Sequence, residues 1–316
     1  MNDKFQKSIL QTLAFWDIFD YPLTKEELYH GFLNTDNTDL KVDYAKFLSE
    51  LESLPGVVER GQGFYFLPDR EEIVGIRQSK VKLLEQKLKI ARRGIKKLAS
   101  VPFVRAVFIC NTLAMGFPDE NSDIDVFIIV KKGRIWLARI LATLMLSLFR
   151  LRRTKIKIEN RICLSFYVSD DNLNLEKIAI SQPDIYLVNW INNLIPVYDP
   201  NNLHQSFLQA NKWAGRYFVN GLQTYEISEK LKVKSEKIGE FFKRFFERVW
   251  NGAYGDLIEA QAKGIQLAKM KMNYMSVQNE NDTRVIVSDN MLKFHETDKR
   301  EEYKRQWKQR CEKLNV

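Results

Sequence analysis

VRAVFICNTLAMGFPDENSDIDVFIIV, residues 104–130, is the stretch from which the rest of the chain is read. Val104–Cys110 is an almost wholly apolar run rich in β-branched and aromatic residues, which reads as a buried strand. Asn111–Ser122 collects Asn, Gly, Pro, Asp and Ser, so a turn lies there. Ile124–Val130 is a second buried strand, with Asp123 just before it and Asp125 inside it. Strand side chains repeat every second residue, so the two carboxylates share a face. Two like charges on a buried strand are costly unless a cation neutralises them. Mg²⁺ takes carboxylates together with phosphate oxygens, so the pattern suits a metal–triphosphate site. A solvated Asp pair in a turn is the plainer alternative.

The motif NTLAMG followed by SDIDVFIIV resembles the signature of the DNA polymerase β-like nucleotidyltransferase superfamily. That signature is a Gly-Ser turn, often continued as L-A-x-G, then a D-x-D strand. Asn111 falls where the family has Gly, and Thr112 where it has Ser; Leu113, Ala114 and Gly116 match. The resemblance implies a mixed sheet flanked by helices and an Mg²⁺ ion on Asp123 and Asp125. It also implies a terminal-phosphate cradle at Asn111, Thr112 and Gly116. The implied reaction moves a nucleoside monophosphate from a nucleoside triphosphate to an acceptor hydroxyl. RNA, a protein or a small molecule would serve as acceptor. The family places a third catalytic carboxylate on the next sheet strand. Here the candidate strands are Lys155–Asn160 and Ile162–Val168. The second has Cys163 and Ser165 as its polar positions and no acid, which leaves Glu159 as the nearest candidate. A nucleotide-binding or scaffold protein without catalysis is the rival reading.

The net charge of +9 is unevenly spread. Residues 1–68 carry −5, 69–100 carry +6, 101–200 carry +2 and 201–316 carry +6. Three separated cysteines give neither a disulfide framework nor a metal-binding spacing. No signal peptide is recognisable, and the apolar run Ile135–Phe149 is too short to span a bilayer. A cytoplasmic setting and no membrane partner are therefore expected.

The expected class is α+β, in several domains. Residues 1–68 read as three helices and a hairpin, resembling a winged helix-turn-helix. Ile9, Leu13 and Trp16 lie on the first helix, Thr24 and Glu27 form a capping box for the second, and Asp43–Leu54 is the third. A DNA-reading third helix is basic, and this one carries Asp43, Glu50 and Glu52 against Lys46, so DNA binding is disfavoured. Residues 69–100 are predicted as one helix with an apolar seam from Val81 to Leu98 and basic residues, Lys87 among them, around it. Residues 101–200 form the nucleotidyltransferase-like unit. It adds a helix over Arg134–Leu151, the basic cluster Arg150, Arg152, Arg153, Lys155 and Lys157, helices over Asp170–Ile180 and Asp184–Leu194, and a strand at Ile195–Tyr198. Residues 201–316 are predicted to be mainly helical, with a helical stretch over Lys237–Met275 in which Gly252 and Gly255 are placed to end or kink a helix, a final helix over Asp298–Leu314 and a short strand at Val285–Val287.

Overall fold

The computed structural model describes residues 2–36, 38–54, 56–222, 224, 228–272, 280 and 282–316. Helix α1 (Asn2–Asp17) buries Phe5, Ile9, Leu13 and Trp16, which recur three and four residues apart. Strand β1 (Leu23–Thr24) leads into α2 (Lys25–His30). The Thr24 hydroxyl accepts from the Glu27 amide and Glu27 accepts from the Thr24 amide, completing the expected capping box. Helix α3 (Tyr44–Glu52) is capped by Asp43 and buries Phe47 and Leu51. Strands β2 (Glu59–Gly61) and β3 (Phe64–Phe66) form the hairpin, and β1 joins it in the order β1-β3-β2.

The helix predicted over 69–100 is two helices, α4 (Glu72–Ser79) and α5 (Val81–Leu98), meeting at Lys80. They serve different cores. Ile73 and Val74 pack with Phe66 of the hairpin, whereas Ala91, Ile95 and Leu98 pack beneath the central sheet. A straight rod cannot direct both stripes correctly, and the bend at Lys80 does.

From here the chain runs through β4 (Val104–Ile109), α6 (Asn111–Ala114), β5 (Ile124–Val130), α7 (Ile135–Leu148) and β6 (Ile162–Ser169). Next come α8 (Ile185–Asn192), β7 (Ile195–Tyr198), α9 (Leu203–Ala210), α10 (Lys212–Gly215), α11 (Lys237–Val249) and α12 (Ala253–Lys271). Strands β8 (Val285–Val287) and β9 (Met291–Phe294) and helix α13 (Arg300–Lys313) follow. Six strands build one sheet in the order β7-β4-β5-β6-β9-β8. β5 and β6 run parallel and the other neighbouring pairs antiparallel, so the sheet is mixed and the class is α+β. Two of its strands come from beyond residue 200, so the sheet extends past the unit drawn at 101–200.

Each face of the sheet is covered. Phe108, Phe127, Ile129 and Phe166 meet α8 and α9 in a core that continues into α1, with Trp16 and Tyr21 in the same cluster. Phe19 stacks on Phe117 at 4.5 Å between ring centroids. On the other face Val107, Ile128 and Tyr167 pack with residues of α5 and α7. The N-terminal unit therefore shares its core with the sheet.

Two further stretches differ from expectation. Residues 155–160 form no strand, because Thr154 Oγ1 accepts from the Lys157 amide at 3.0 Å and turns the chain back. The helix predicted over Asp170–Ile180 shrinks to one 3₁₀ turn at Glu176–Ile178. Asn211 takes over the local backbone there, accepting from Leu175 N at 2.9 Å and donating to Leu173 O at 2.8 Å. The helical stretch over Lys237–Met275 divides into α11 and α12 at Gly252, one of the two glycines placed to end it, whose φ is +71°; positions 273–275 lie outside the described residues. Among the described residues no helix is long and apolar enough to cross a membrane.

Candidate functional site

The antiparallel pair β4–β5 brings the turn after β4 over the start of β5, and the Cys110 amide donates to Asp125 O at 3.2 Å. The parallel partner β6 sets Cys163 in register with Asp125. Strand pairing alone thus gathers three donors. Ligand atoms of Asp123, Asp125 and Cys163 lie within 4.8 Å of one another. The two carboxylates share a side as their spacing requires, and the position beside them on the next strand is a thiol.

Burial, and then the Asp123 carboxylate next to it, pushes Asp125 up to about 6. Asn111, Cys163 and Arg153 act in the opposite direction. Burial first, and then the two carboxylates, holds the Cys163 thiol well above its ordinary value. These are the marks of a donor set short of positive charge. Part of that charge comes from Arg153, whose Nε sits 2.8 Å from Asp123 Oδ2 and whose Nη1 reaches to 3.9 Å from Cys163 Sγ. Of the basic cluster at 150–157, Arg153 is therefore the member that turns into the site.

Asn111 adopts φ +54°, the left-handed conformation a glycine takes without cost. Its side chain is fixed from both ends. Nδ2 donates to Asp125 Oδ2 at 2.8 Å, and Oδ1 accepts from Trp190 Nε1 at 2.8 Å. Trp190 is a core residue, edge-on to Phe127 at 5.3 Å, and not an open platform for a base. Thr112 is half-buried at the start of α6, where the first amides have no carbonyl one turn earlier to bond. Gly116 has φ +87°, and a Cβ there would lie 2.5 Å from the Tyr21 hydroxyl. Close approach of Tyr21, from the N-terminal unit, accounts for this glycine.

Glu159 does not join the donors. It is exposed in the turn before β6 and accepts from Asn160 Nδ2 at 2.8 Å. The loss of the expected strand at 155–160 is the reason: the chain that would have carried the acid inward stays at the surface.

Two contributors were not foreseen. Cys163 was recognisable only as a polar position in an apolar strand. Lys87, one of the basic residues around the apolar seam, is fully buried, and Nζ donates to Ser122 O at 2.7 Å and Glu120 O at 3.2 Å. It holds the loop that delivers Asp123. Its spacing from Leu84 and Ala91, three and four residues, placed it on the buried side.

A cavity of about 50 Å³ opens beside Asn111, lined among others by Phe166, Trp190, Lys293 and His295. A larger one of about 270 Å³, lined by Glu176, Gln182, Trp213, Arg216 and Tyr217, includes none of the three donors. The donor cluster is the better guide to chemistry, because perturbed titrating groups converge there. No protein-family model, no curated protein and no solved structure matches this chain.

Proposed function

We propose that the protein is a nucleotidyltransferase that uses Mg²⁺ to move a nucleoside monophosphate from a nucleoside triphosphate to a hydroxyl acceptor. The observation that carries this reading is the convergence of Asp123, Asp125 and Cys163 within 4.8 Å beside the Asn111–Gly116 turn. The donors suit a divalent ion, since burial and then the neighbouring Asp123 carboxylate push Asp125 up to about 6. Cys163 is softer than the carboxylate Mg²⁺ prefers, so Mn²⁺ and Zn²⁺ fit the same set. When bound, the ion supplies charge neutralisation to the phosphates and orients them for in-line displacement.

The chain's own groups do the rest. Asp123 and Asp125 would hold the ion, with Cys163 beside them. Arg153, already at the carboxylates, lies within reach of a phosphate oxygen. Thr112 and the first amides of α6 belong to the turn where terminal phosphates would rest. Lys87 keeps the loop before Asp123 in place. RNA, a protein and a small molecule all remain candidates as acceptor. DNA binding by residues 1–68 is disfavoured by the acidic α3.

A second reading, nucleotide binding without transfer, is favoured by two observations. Glu159 is outside the donor cluster, and Asn111 occupies Asp125 directly. Titration calorimetry with ATP and Mg²⁺, run beside a radiolabel transfer assay, separates the two. Binding with pyrophosphate release supports transfer, and binding without it supports the second reading. No binding of metal or nucleotide, or binding unaltered in Asp123→Asn and Asp125→Asn, removes both. Cys163→Asp restores a third carboxylate and is expected to raise Mg²⁺-dependent transfer.

A further inference from the structure

Helix α11 is docked by its polar side. Gly239, Lys243, Phe246 and Glu247, spaced three and four apart, face the body of the protein. Lys243 is buried, and its Nζ donates to Val104 O at 2.5 Å, Tyr198 Oη at 3.1 Å and Ala99 O at 3.2 Å. Glu247 accepts from the Phe103 amide at 2.6 Å and from Arg105 Nη1 at 2.8 Å. A Cβ at Gly239 would collide with the Ser100 side chain, so glycine lets the helix sit this close. These contacts fix the rotation of the helix about its axis.

The consequence is an outward apolar stripe. Ile238, Phe241, Phe242, Phe245 and Val249 also recur at helical spacing, and each is between 43 % and 74 % exposed. Tyr254 and Leu257 in the first turns of α12 are exposed as well. A face of this size, with three phenyl rings, is a binding surface and not a scatter of single side chains.

The surrounding charge indicates what it binds. Between residues 229 and 249 every acid is already engaged: Glu229 with Lys232, Glu236 with Lys96, Glu240 with Arg244, and Glu247 with Arg105. Lys230, Lys234, Lys237 and Arg248 are exposed and form no ion pair among the described residues. Lys237 and Arg248 lie on the helix that carries the stripe, and Lys230 and Lys234 on the segment that leads into it. A second copy of the chain would bring two such sets of cations to one two-fold contact, where they repel. An anionic lipid surface accepts both features together, rings at the boundary of headgroups and acyl chains and cations on the lipid phosphates.

We infer that α11 is a membrane-surface helix that seats the protein on anionic bilayers through Ile238, Phe241, Phe242, Phe245 and Val249, with Lys230, Lys234, Lys237 and Arg248 on the phosphates. Lying on a bilayer is a different geometry from crossing one, and it needs no long apolar helix. The inference is independent of the nucleotide site.

The test is co-sedimentation of the full chain with phosphatidylcholine vesicles and with phosphatidylcholine–phosphatidylglycerol vesicles, at low and high salt. Binding is expected to the anionic vesicles only and to weaken with salt. Phe241→Ser with Phe245→Ser is expected to abolish it. Lys234→Glu with Lys237→Glu is expected to weaken it at least roughly tenfold. These positions are exposed, and circular dichroism checks that the variants keep the wild-type fold. Wild-type protein that stays in the supernatant overturns the proposal, as does anionic binding that the phenylalanine variant retains. A concentration-dependent dimer in analytical ultracentrifugation, lost in that variant and unaccompanied by vesicle binding, also overturns it, because a second copy then covers the stripe.

Discussion

Asn111 donates from Nδ2 to Asp125 Oδ2 across 2.8 Å while its own backbone holds φ +54°. One residue thus supplies both the left-handed turn and a neutral partner for a strained carboxylate. Asn111→Gly keeps the turn and releases Asp125. The variant is expected to bind Mn²⁺ or Mg²⁺ severalfold more tightly, because a ligand lone pair is freed. It also loses the bond to Trp190 and is expected to be about 1–2 kcal/mol less stable. Isothermal titration and urea melts read the two effects, and a metal affinity equal to wild type refutes the first.

Arg153 is the cation at the acid pair in this fold. Arg153→Ala is expected to move two affinities in opposite directions. Divalent metal alone binds more tightly, up to roughly tenfold, because no guanidinium competes for Asp123. Nucleoside triphosphate with metal binds more weakly, by roughly tenfold, because a bidentate phosphate donor is gone. Calorimetry with each ligand in turn distinguishes this pattern from a general loss of structure, which weakens both.

The Asp125→Asn variant is expected to lose metal binding and gain stability. Asp125 holds its proton more tightly folded than unfolded, about 6 against 3.8. Ionising it therefore costs the fold nothing well below pH 3.8, increasingly more between pH 3.8 and 6, and the full amount above pH 6. That amount is on the order of 3 kcal/mol. In metal-free buffer Asn is expected to raise Tm by several degrees at pH 7.5 and to leave it nearly unchanged at pH 3.5. A variant less stable than wild type at pH 7.5 contradicts this account.

Lys87→Met removes an amine and leaves the Glu120 and Ser122 carbonyls beside an apolar group. A loss of about 1–3 kcal/mol in unfolding free energy is expected. Metal affinity is expected to fall severalfold with it, since the loop before Asp123 loses its tie. Metal affinity unchanged in a destabilised variant would confine Lys87 to a purely structural part.

How far these features were legible depended on the kind of signal. The strand–turn–strand at 104–130 was readable because long apolar runs and turn residues agree over many positions, and the Thr24 capping box because its two residues act locally. Cys163 escaped as a donor because its place is set by the register of the parallel strand that pairs with β5 after a helical crossover, which periodicity does not encode. Lys87 was read as surface because charge normally means solvent, although its spacing placed it on the buried seam. Strand β9 was missed for the same reason: Lys293 lies inside it, buried and paired with Asp298 at 2.8 Å. Glu159 is the acid nearest the acid-free strand Ile162–Val168 in sequence, but nearness in sequence does not fix direction, and the turn it shares with Asn160 keeps it at the surface. The bend at Lys80 followed from two separate cores, which a single apolar stripe could not reveal.

The sheet's pairing of β6 with β9 has a consequence for how the molecule is made. A ribosome delivers residues 104–169 long before residues 291–294, so the strand that bears Cys163 waits with an open edge while more than a hundred further amino acids are translated. During that interval the nascent polypeptide presents a hydrophobic, unzipped border next to its acid pair. Completion of the sheet is thus a late event of biosynthesis, and chaperone demand is expected to peak before β9 emerges from the exit tunnel.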